Sequence, residues 1–508
     1  MRQFLFILQL TFFSTVFAQQ KKPNIVIIIS DDHSYQTIGA YGSKIGNTPN
    51  IDRIAKEGVI FNKAYVTNSI CGPSRASLLT GKYSHHNGFK DNETSNFNFN
   101  QDSFTKQLQN QGYQTAWIGK IHLGNKLQGF NYYSVLVGQG QYFNSDFISA
   151  YNEGEETRIR EDGYVADVIT DKALNWIAEQ KDQEPFCLII GHKNTHRTWM
   201  PDPQDFGKND QKEFPLPETF FDQYDTRKAA SVQEMSIDKD MRLDYDLKMF
   251  PNWDEVRKQG GFNRMTDAQF AQYRSYYEPI YEQFKQANLS GKELAVWKYN
   301  RYMTDYLNTA ESMDRNIGKV LDYLKENNLE DNTLLVYLSD QGFYMGEHGW
   351  FDKRFMYEES FRTPMLMKMT GLTQKSEAIN QMVLNVDIAP TILDLTGTPI
   401  PKDMDGKSFL GLLKGKKKAI RKQLFYHYYE NGEHAVSPHF GVTDGRYKLI
   451  RYYKRVDNWE LFDLKTDPRE LKNIYDDPSQ KQVLARMKKL LLKEIQAVND
   501  QEAFSLLD

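Results

Sequence analysis

The sequence predicts an α/β fold with a central, mainly parallel sheet, followed by a smaller C-terminal α+β domain. Three short runs are almost entirely apolar: Asn24–Ser30 (NIVIIIS), Phe186–Gly191 (FCLIIG) and Leu334–Ser339 (LLVYLS). Apolar runs without polar alternation are typical of strands that helices bury on both faces. Helical patterns lie between these runs, and the alternation of strands with helices favours an α/β sheet.

A fourth strand and four main helices complete the predicted α/β domain. The strand is Gln114–Ile118, and the helices are expected around Asp52–Glu57, Asp102–Gln111, Tyr164–Gln180 and about Trp297–Asn327. We assign residues 19–413 to this domain. Within it, residues from about 200 to 265 are rich in aromatic residues, proline and mixed charge. We interpret them as a long, partly helical insertion that covers the site or the surface.

The pattern changes near Lys414, where a basic run begins. Short strand-like segments follow it at Leu424–Tyr429, Phe440–Thr443, Tyr447–Tyr453 and Leu461–Asp463. A last helix is expected over about Ser479–Val498, because its apolar residues keep helical spacing. Residues 414–508 are therefore predicted to form the smaller α+β domain.

Length, composition and charge exclude several classes of protein. The chain has 508 residues, of which 40% are hydrophobic and 26% charged, so its composition is globular and it is long enough to bury a core. With a net charge of −4, the chain lacks the excess positive charge that is typical of a dedicated nucleic-acid-binding protein. Only Cys71 and Cys187 are cysteines, which rules out a disulfide framework and a cysteine-ligated zinc cluster.

Residues 1–18 (MRQFLFILQLTFFSTVFA) have the features of a secretory signal peptide. Arg2 supplies a basic start, an apolar stretch follows, and Val16 and Ala18 lie just before the expected cleavage site. The apolar stretch is too short to span a bilayer comfortably, which argues against a membrane anchor. We therefore expect an exported protein, periplasmic or secreted, without stable membrane insertion.

Charged or metal-binding residues follow all four predicted strands. In open α/β sheets, ligands bind beyond the carboxyl ends of the strands. Polar residues could follow one strand by chance, but four such strand ends favour a shared site. The residues concerned are, in chain order, Asp31 and Asp32, Lys120 and His122, His192, Lys193 and His196, and Asp340 and Gln341.

The segment Cys71–Arg75 (CGPSR) is the most specific motif in the chain. Pro73 suits a first helical turn, so Cys71 is expected at a helix start. A helix start offers free N–H groups and partial positive charge to an anion, and Arg75 could add a guanidinium fork. From the residues alone, an ordinary buried cysteine and a thiol nucleophile both remain open.

With CGPSR and the following ASLLTGKY (76–83), the chain resembles the formylglycine-dependent sulfatases, whose modification signature is C-x-P-S-R. Further segments are similar to the blocks of that family, in the family's order: PNIVIIISDDH (23–33), TPNIDRIAKEGVIFNKAY (48–65), GKIHLG (119–124), LSDQGFYMGEHG (338–349) and VDIAPTILDLTGTPIP (386–401). The resemblance implies an alkaline-phosphatase-like α/β sandwich. It also implies that a formylglycine-generating enzyme oxidises Cys71 to formylglycine (3-oxoalanine) during maturation.

The resemblance also implies roles for the residues at the strand ends. Asp31, Asp32, Asp340 and Gln341 match the family's metal ligands, and an all-oxygen set suits one Ca²⁺ ion rather than zinc. Many members have Asn where Gln341 stands, but both side chains offer a carbonyl oxygen. The residues expected around the sulfate and the formylglycine are Arg75, Lys120, His122, His196 and Lys353.

The implied mechanism is covalent hydrolysis of a sulfate ester. Hydrated formylglycine offers two hydroxyl groups, of which one attacks sulfur. His196 or a neighbouring lysine protonates the leaving alcohol, and we prefer His196 because a histidine pKa lies near working pH. The second hydroxyl passes its proton to His122 as sulfate leaves and the aldehyde returns.

Three segments are most similar to the N-acetylglucosamine-6-sulfatase branch: residues 191–203, 214–230 and 350–365. This implies removal of 6-O-sulfate from N-acetylglucosamine or glucosamine in glycosaminoglycans or mucin-type glycans. Asp352 and Arg354 would then bracket the sugar, and His434 and His439 would close the pocket. Thr195 stands before His196, where relatives usually have proline.

Three alternatives differ in substrate or in class. The first is a sulfatase that acts on another glycan, such as a sulfated galactan. The second is a phosphodiester or phosphonate monoester hydrolase of the same superfamily, which carries the same modified cysteine. The third is a non-catalytic glycan-binding protein, in which residue 71 would remain a thiol.

Overall fold

The structure is a computed structural model that describes residues 21–124, 126–180, 184–416 and 418–507. The signal peptide predicted at residues 1–18 lies outside this part of the chain. The strands described are β1 (Asn24–Ser30), β2 (Val59–Phe61), β3 (Ala64–Tyr65), β4 (Gln114–Gly119), β5 (Tyr132–Leu136), β6 (Asp146–Tyr151), β7 (Thr157–Arg160), β8 (Phe186–Gly191), β9 (Thr333–Ser339), β10 (Met365–Lys368), β11 (Glu377–Ile379), β12 (Val383–Leu384), β13 (Leu424–Tyr428), β14 (His439–Thr443), β15 (Tyr447–Tyr452) and β16 (Asn458–Asp463).

The helices in the same part of the chain differ widely in length. They are α1 (Pro49–Glu57), α2 (Cys71–Thr80), α3 (Ser84–Asn87), α4 (Phe104–Gln109), α5 (Val165–Ala178), α6 (Lys228–Ser231), α7 (Trp253–Val256), α8 (Asp267–Ala287), α9 (Gly291–Glu326), α10 (Glu358–Phe361), α11 (Ile388–Leu395), α12 (Leu410–Leu413), α13 (Lys481–Ala497) and α14 (Gln501–Ser505). No helix among the described residues is both long and apolar enough to cross a membrane.

Ten strands form the central sheet, in the order β11-β2-β10-β9-β1-β8-β4-β5-β6-β7. The middle block from β9 to β5 is parallel throughout. Antiparallel pairs join β10 to β9 and β2 on one side, and β5, β6 and β7 on the other. The prediction of a central, mainly parallel sheet is confirmed.

Strand β1 shows why the central runs are apolar at every position. Ile25, Ile27 and Ile29 pack into one hydrophobic core, whereas Val26 and Ile28 pack into a second core on the opposite face. Successive side chains of a strand point to opposite faces, so a strand covered on both faces needs apolar residues throughout. The sheet is therefore the middle layer of a sandwich.

Different helices cover the two faces of this sheet. Helices α1, α5 and α9 contribute to the core that contains Val26, and α2, α4 and α11 contribute to the core that contains Ile25. The 36-residue helix α9 and the 21-residue helix α8 are the longest of those described. The helix α8 was not predicted; Pro279 lies inside it, and its buried residues are Tyr273 and Tyr277.

The segment predicted as an insertion, residues 200–265, is mostly irregular and contains only two short α-helices, α6 and α7. Its backbone is tied to the loop after β9, because Ile237 N donates to Gly349 O and Phe351 N donates to Met235 O. A further hydrogen bond joins the segment to the C-terminal part of the chain, because Glu234 N donates to His434 O at 2.7 Å. The segment therefore lies against the loops that carry predicted sugar-binding residues.

The C-terminal part of the chain forms a separate antiparallel sheet in the order β13-β14-β15-β16. Helix α13 covers it through the buried residues Met487, Leu491 and Ile495. The other side of the sheet meets the large domain, where the Tyr426 hydroxyl donates to the carbonyl of Arg354 at 2.5 Å. The second sheet thereby supports the loop that follows Lys353.

Candidate active site

The carboxyl ends of four parallel strands bring the predicted site together. Asp31 and Asp32 follow β1, Lys120 and His122 follow β4, Lys193 and His196 follow β8, and Asp340 and Gln341 follow β9. Backbone hydrogen bonds join the strand ends directly. Lys120 N donates to Gly191 O at 2.7 Å, and Asp340 N donates to Ser30 O at 3.2 Å.

Three buried oxygen atoms in this group have no hydrogen-bond partner among the described residues: Asp31 Oδ1, Asp32 Oδ2 and Gln341 Oε1. A carboxylate oxygen of Asp31, one of Asp340 and the Sγ atom of Cys71 all lie within 4.8 Å of one another. Buried oxygens without partners are costly, and hard oxygen donors are the ligands that Ca²⁺ prefers. The four predicted ligands therefore fit one hard divalent cation.

Three buried cations surround the carboxylates. Arg75 donates through Nε to Asp340 at 3.0 Å and through Nη1 to the carbonyl of Lys120 at 2.7 Å. The ammonium of Lys120 contacts Asp31, and that of Lys353 lies 2.5 Å from Asp32. An unpaired buried charge would be strongly destabilising, so the cations and carboxylates hold one another in place.

The carboxylates of this cluster do not titrate alike. Burial raises the pKa of Asp32 and of Asp340 above their usual range, and the cations beside them offset this only in part. For Asp31, burial also acts to raise the pKa, but the positive charges around it, Lys120 first, hold it well below the usual range. A bound cation would favour the ionised form of all three groups.

Cys71 is the first residue of α2 and is buried between two partners. Its Sγ atom lies 3.3 Å from Nδ1 of His122 and 3.7 Å from Nδ2 of Asn92. Gly72 allows this approach, since a Cβ there would lie 2.5 Å from Asn92 and from the Phe89 ring. Sequence reasoning missed Asn92, because nothing in its local pattern separates it from other loop asparagines.

The two site histidines are neutral in this environment. Burial, with the charge of Lys120, lowers the pKa of His122 to about 3 and that of His196 well below its ordinary value. Burial therefore acts against the protonated form of His196 on which its expected role as proton donor depends. Burial lowers the pKa of Lys193 to about 7, and its Nζ donates to the carbonyl of Gln139 at 3.1 Å.

Asp352, Arg354 and His434 form one contiguous group beside Lys353. Arg354 Nε donates to Asp352 at 3.1 Å, and His434 Nε2 lies 3.5 Å from the other carboxylate oxygen. Arg354 also contacts Glu430, and its positive charge is the main electrostatic reason that the pKa of Asp352 stays well below the usual range despite burial.

Arg197 extends this group and was not predicted. Its Nη1 lies 3.3 Å from Nε2 of His434, and its guanidinium is held by Asp246. The guanidinium packs over the rings of Tyr245 and Phe351. The feature of the sequence that could have identified Arg197 as a site residue is its position directly after His196.

The structure places His439 away from this group, so its predicted role in closing the pocket is wrong. His439 is fully buried between the C-terminal sheet and Phe355. Its Nδ1 contacts the carbonyl of Ser437 at 2.8 Å, and its Nε2 accepts from Met356 N at 3.1 Å. Because both ring nitrogens are hydrogen-bonded, His439 contributes to the packing between the C-terminal sheet and the large domain.

Comparison with known proteins identifies the family to which this architecture belongs. A match to the family described as Sulfatase spans residues 23–398, which is more than half of the chain. The chain belongs to the sulfatase family. A second match, to the family described as N-sulphoglucosamine sulphohydrolase, C-terminal, spans residues 346–497 and includes the small sheet. The protein is therefore an enzyme that hydrolyses sulfate esters, and the alkaline-phosphatase-like fold is confirmed.

Several sulfatases are similar over almost the whole chain. An N-acetylglucosamine-6-O-sulfatase of Bacteroides thetaiotaomicron is 43% identical over 470 residues, which cover 90% of this chain and 83% of that protein. A structure solved in complex with its substrate, D-glucosamine-2-N,6-O-disulfate, has a TM-score of 0.91 and 40% identity, covering 95% of this chain and 99% of the other. A phosphonate monoester hydrolase of Agrobacterium radiobacter, 17% identical with a TM-score of 0.66 and coverage of 94% and 96%, shares the fold alone.

Proposed function

We propose that this sulfatase removes the 6-O-sulfate of N-acetylglucosamine or glucosamine units in glycosaminoglycans or mucin-type glycans. The similarity to an N-acetylglucosamine-6-O-sulfatase and to a glucosamine disulfate complex supports this substrate. The observation that carries the proposal is that Lys353, which is expected to bind the sulfate, stands between the two residues that are expected to face the sugar. Asp352 and Arg354 flank Lys353 in the chain, while Lys353 itself reaches Asp32 in the reaction centre.

This juxtaposition gives the two ends of the substrate different partners. A sulfate held between Lys353, Lys120 and Arg75 leaves the sugar ring facing Asp352 and His434. A carboxylate accepts hydrogen bonds from sugar hydroxyls, a guanidinium donates to them, and an imidazole ring offers a further polar partner. A site of this kind rejects a sugar whose hydroxyl has the wrong orientation, because its buried polar groups would remain unpaired.

We assign one Ca²⁺ ion to Asp31, Asp32, Asp340 and Gln341, on the ground of the unpartnered oxygens of Asp31, Asp32 and Gln341 and of the position of Asp340 beside Asp31 and Cys71. When bound, the ion supplies positive charge that lowers the pKa of a nearby hydroxyl and offsets the charge of the sulfate. The family generally works with formylglycine, and Cys71 stands at the position of the modification signature. We assign the conversion to a formylglycine-generating enzyme and propose export to the periplasm or the exterior.

The chain's own residues then perform three tasks. Arg75, Lys120 and Lys353 stabilise charge that develops on the transferring group, and they do so from fixed positions. We assign protonation of the leaving sugar oxygen to His196, because the negative charge of a bound sulfate would favour the protonated form of this ring. His122 takes a proton from residue 71 through Nδ1, which lies 3.3 Å from the side chain of that residue.

Sulfate release from position-defined sugars tests the proposal. The screen compares N-acetylglucosamine 6-sulfate, glucosamine 2-N,6-O-disulfate, galactose 6-sulfate and a 2-O-sulfated uronate, with Cys71→Ala as control and an aryl phosphonate ester as a further substrate. We expect the 6-sulfated glucosamines to be cleaved with roughly 100-fold higher kcat/KM than galactose 6-sulfate. Cleavage of the galactose ester, the uronate or the phosphonate with the glucosamines untouched would contradict it.

A further inference from the structure

A glutamine in the loop after β5 contacts the histidine that faces residue 71. Gln139 lies between β5 and β6, and its amide Nε2 is 3.2 Å from Nε2 of His122. The other ring nitrogen of His122, Nδ1, lies 3.3 Å from Sγ of Cys71. The imidazole therefore connects Gln139 to the reacting residue.

The two orientations of the glutamine amide select opposite tautomers of this ring. A neutral imidazole carries one N–H donor and one bare nitrogen, and burial keeps His122 neutral. When the amide N–H of Gln139 donates to Nε2, the ring proton must lie on Nδ1, which then cannot accept a proton from residue 71. After a half-turn of the amide, Oε1 accepts from Nε2–H and Nδ1 is bare.

A second observation favours the carbonyl as the partner of the ring. Gln139 Oε1 is buried and makes no hydrogen bond within the described part of the chain. Buried carbonyl oxygens normally have a donor, and the N–H of His122 Nε2 is the donor that a half-turn would supply. The backbone of Gln139 is held as well, because its carbonyl accepts from Lys193 Nζ at 3.1 Å.

We propose that Gln139 is a positioning residue that holds His122 in the Nε2–H tautomer, so that Nδ1 accepts a hydroxyl proton from residue 71. The inference rests on the proposed function, since that hydroxyl exists only after Cys71 is converted. In the step concerned, the O–H bond breaks and its proton moves to Nδ1. The electron pair of that bond forms the C=O bond, and the C–O bond to sulfate breaks with its pair on the sulfate.

Two variants of Gln139 separate this role from a structural one. Gln139→Met keeps the length of the side chain but removes the strong acceptor, and we expect kcat to fall on the order of 10–100-fold. The proton transfer follows departure of the alcohol, so KM falls with kcat and kcat/KM changes little. Gln139→Glu keeps only acceptors, and we expect its kcat to remain within about tenfold of wild type.

The matched control is Gln141→Met in the same loop, which is expected to leave the kinetics unchanged. Equal losses in Gln139→Met and Gln139→Glu would overturn the inference, because an acceptor would then not rescue the step. A fall in kcat/KM as large as the fall in kcat for Gln139→Met would also overturn it.

The tautomer is observed directly by nitrogen NMR of active enzyme that carries ¹⁵N-labelled histidine, with His122→Gln used to assign the signals. We expect a protonated Nε2 and a bare Nδ1 in the wild type. A proton on Nδ1 would overturn the inference.

The kinetic assays use both N-acetylglucosamine 6-sulfate and 4-nitrocatechol sulfate, because the proton transfer is the same for both. Cleavage of the aryl sulfate without cleavage of the sugar would reject the proposed substrate, while the Gln139 variants would still decide the role of that residue.

Discussion

At the scale of single residues, His434 and His439 show that a local sequence pattern does not predict which groups a side chain will contact. Both histidines lie near the start of the C-terminal sheet. His434 Nε2 faces Asp352 at 3.5 Å, whereas both ring nitrogens of His439 are bonded within the domain interface. The two side chains should therefore respond differently to substitution.

Alanine substitution of each histidine tests this difference. We expect His434→Ala to lower kcat/KM for N-acetylglucosamine 6-sulfate by about 10–100-fold, because a buried sugar contact is lost, with little change for 4-nitrocatechol sulfate. His439→Ala should instead lower the melting temperature, without a preference between the two substrates. Loss of sugar specificity in His439→Ala alone would contradict the assignment.

The dependence of the rate on the leaving group tests whether His196 is the residue that protonates the leaving alcohol. An alkyl alcohol is a poor leaving group and needs a proton, whereas an aryl alcohol with a low pKa does not. We expect His196→Ala to slow sugar desulfation by roughly 10²–10⁴-fold and aryl sulfate hydrolysis by much less. Steady-state kinetics on both substrates measures this. The same pattern in Lys193→Met, with none in His196→Ala, would assign the proton to Lys193.

At the scale of elements, the central strands and the helices α1, α4, α5 and α9 could be predicted, because burial against the sheet gives each of them a recognisable apolar pattern. Strands β1 and β8 match the predicted bounds, and β4 and β9 each extend them by one residue. The outer strands β5, β6 and β7 were missed. Strand β7 is exposed at all four positions, so no apolar pattern marks it.

The site could be predicted where residues follow strands, and not where loops meet in space. The strand ends gave Asp31, Asp340 and Lys120 directly, because the topology of a parallel sheet brings such ends together. Asn92 and Gln139 come from loops that reach the site only after folding. No spacing rule links them to Cys71, so their roles depend on the tertiary structure.

Helix α2 can be tested through its second residue. A Cβ on Gly72 would lie 2.5 Å from both the Phe89 ring and Asn92. We expect Gly72→Ala to destabilise the fold by about 1–3 kcal/mol, as overpacked sites do, and to lower activity by displacing Asn92. The control is Gly411→Ala in α12, where the nearest described atom to the new Cβ belongs to Lys416, at 3.6 Å. Thermal unfolding measures both, and equal stability of the two variants would contradict the packing argument.

At the scale of the whole molecule, a buried glutamate joins the small sheet to the large domain. Glu460 on β16 accepts from the hydroxyls of Tyr357 at 2.8 Å and Tyr452 at 3.0 Å, and its Oε1 has no partner among the described residues. Burial raises the pKa of this carboxyl from 4.5 to about 7. The interface between the two sheets therefore contains a group that holds its proton at pH values where an unfolded glutamate is ionised.

This raised pKa makes the stability of the molecule depend on pH. Below pH 4.5 the carboxyl is protonated in both states and its contribution is fully present, and the contribution is lost as the pH rises through about 7. The loss amounts to about 3 kcal/mol for a shift of this size. We expect the melting temperature of Glu460→Gln to fall less between pH 5 and pH 8 than that of the wild type. Exposed Glu293→Gln is the control, and identical pH slopes in wild type and Glu460→Gln would contradict the argument.

The central claim is that residue 71, at the start of α2 among the buried cations, is the reacting group and works in its modified form. Mass spectrometry of the tryptic peptide that spans residues 64–75 (AYVTNSICGPSR), taken from active enzyme, tests this claim most directly. We expect a mass that corresponds to an aldehyde in place of the thiol, and we expect a hydrazine reagent to label this aldehyde. An intact thiol in fully active enzyme would contradict the account.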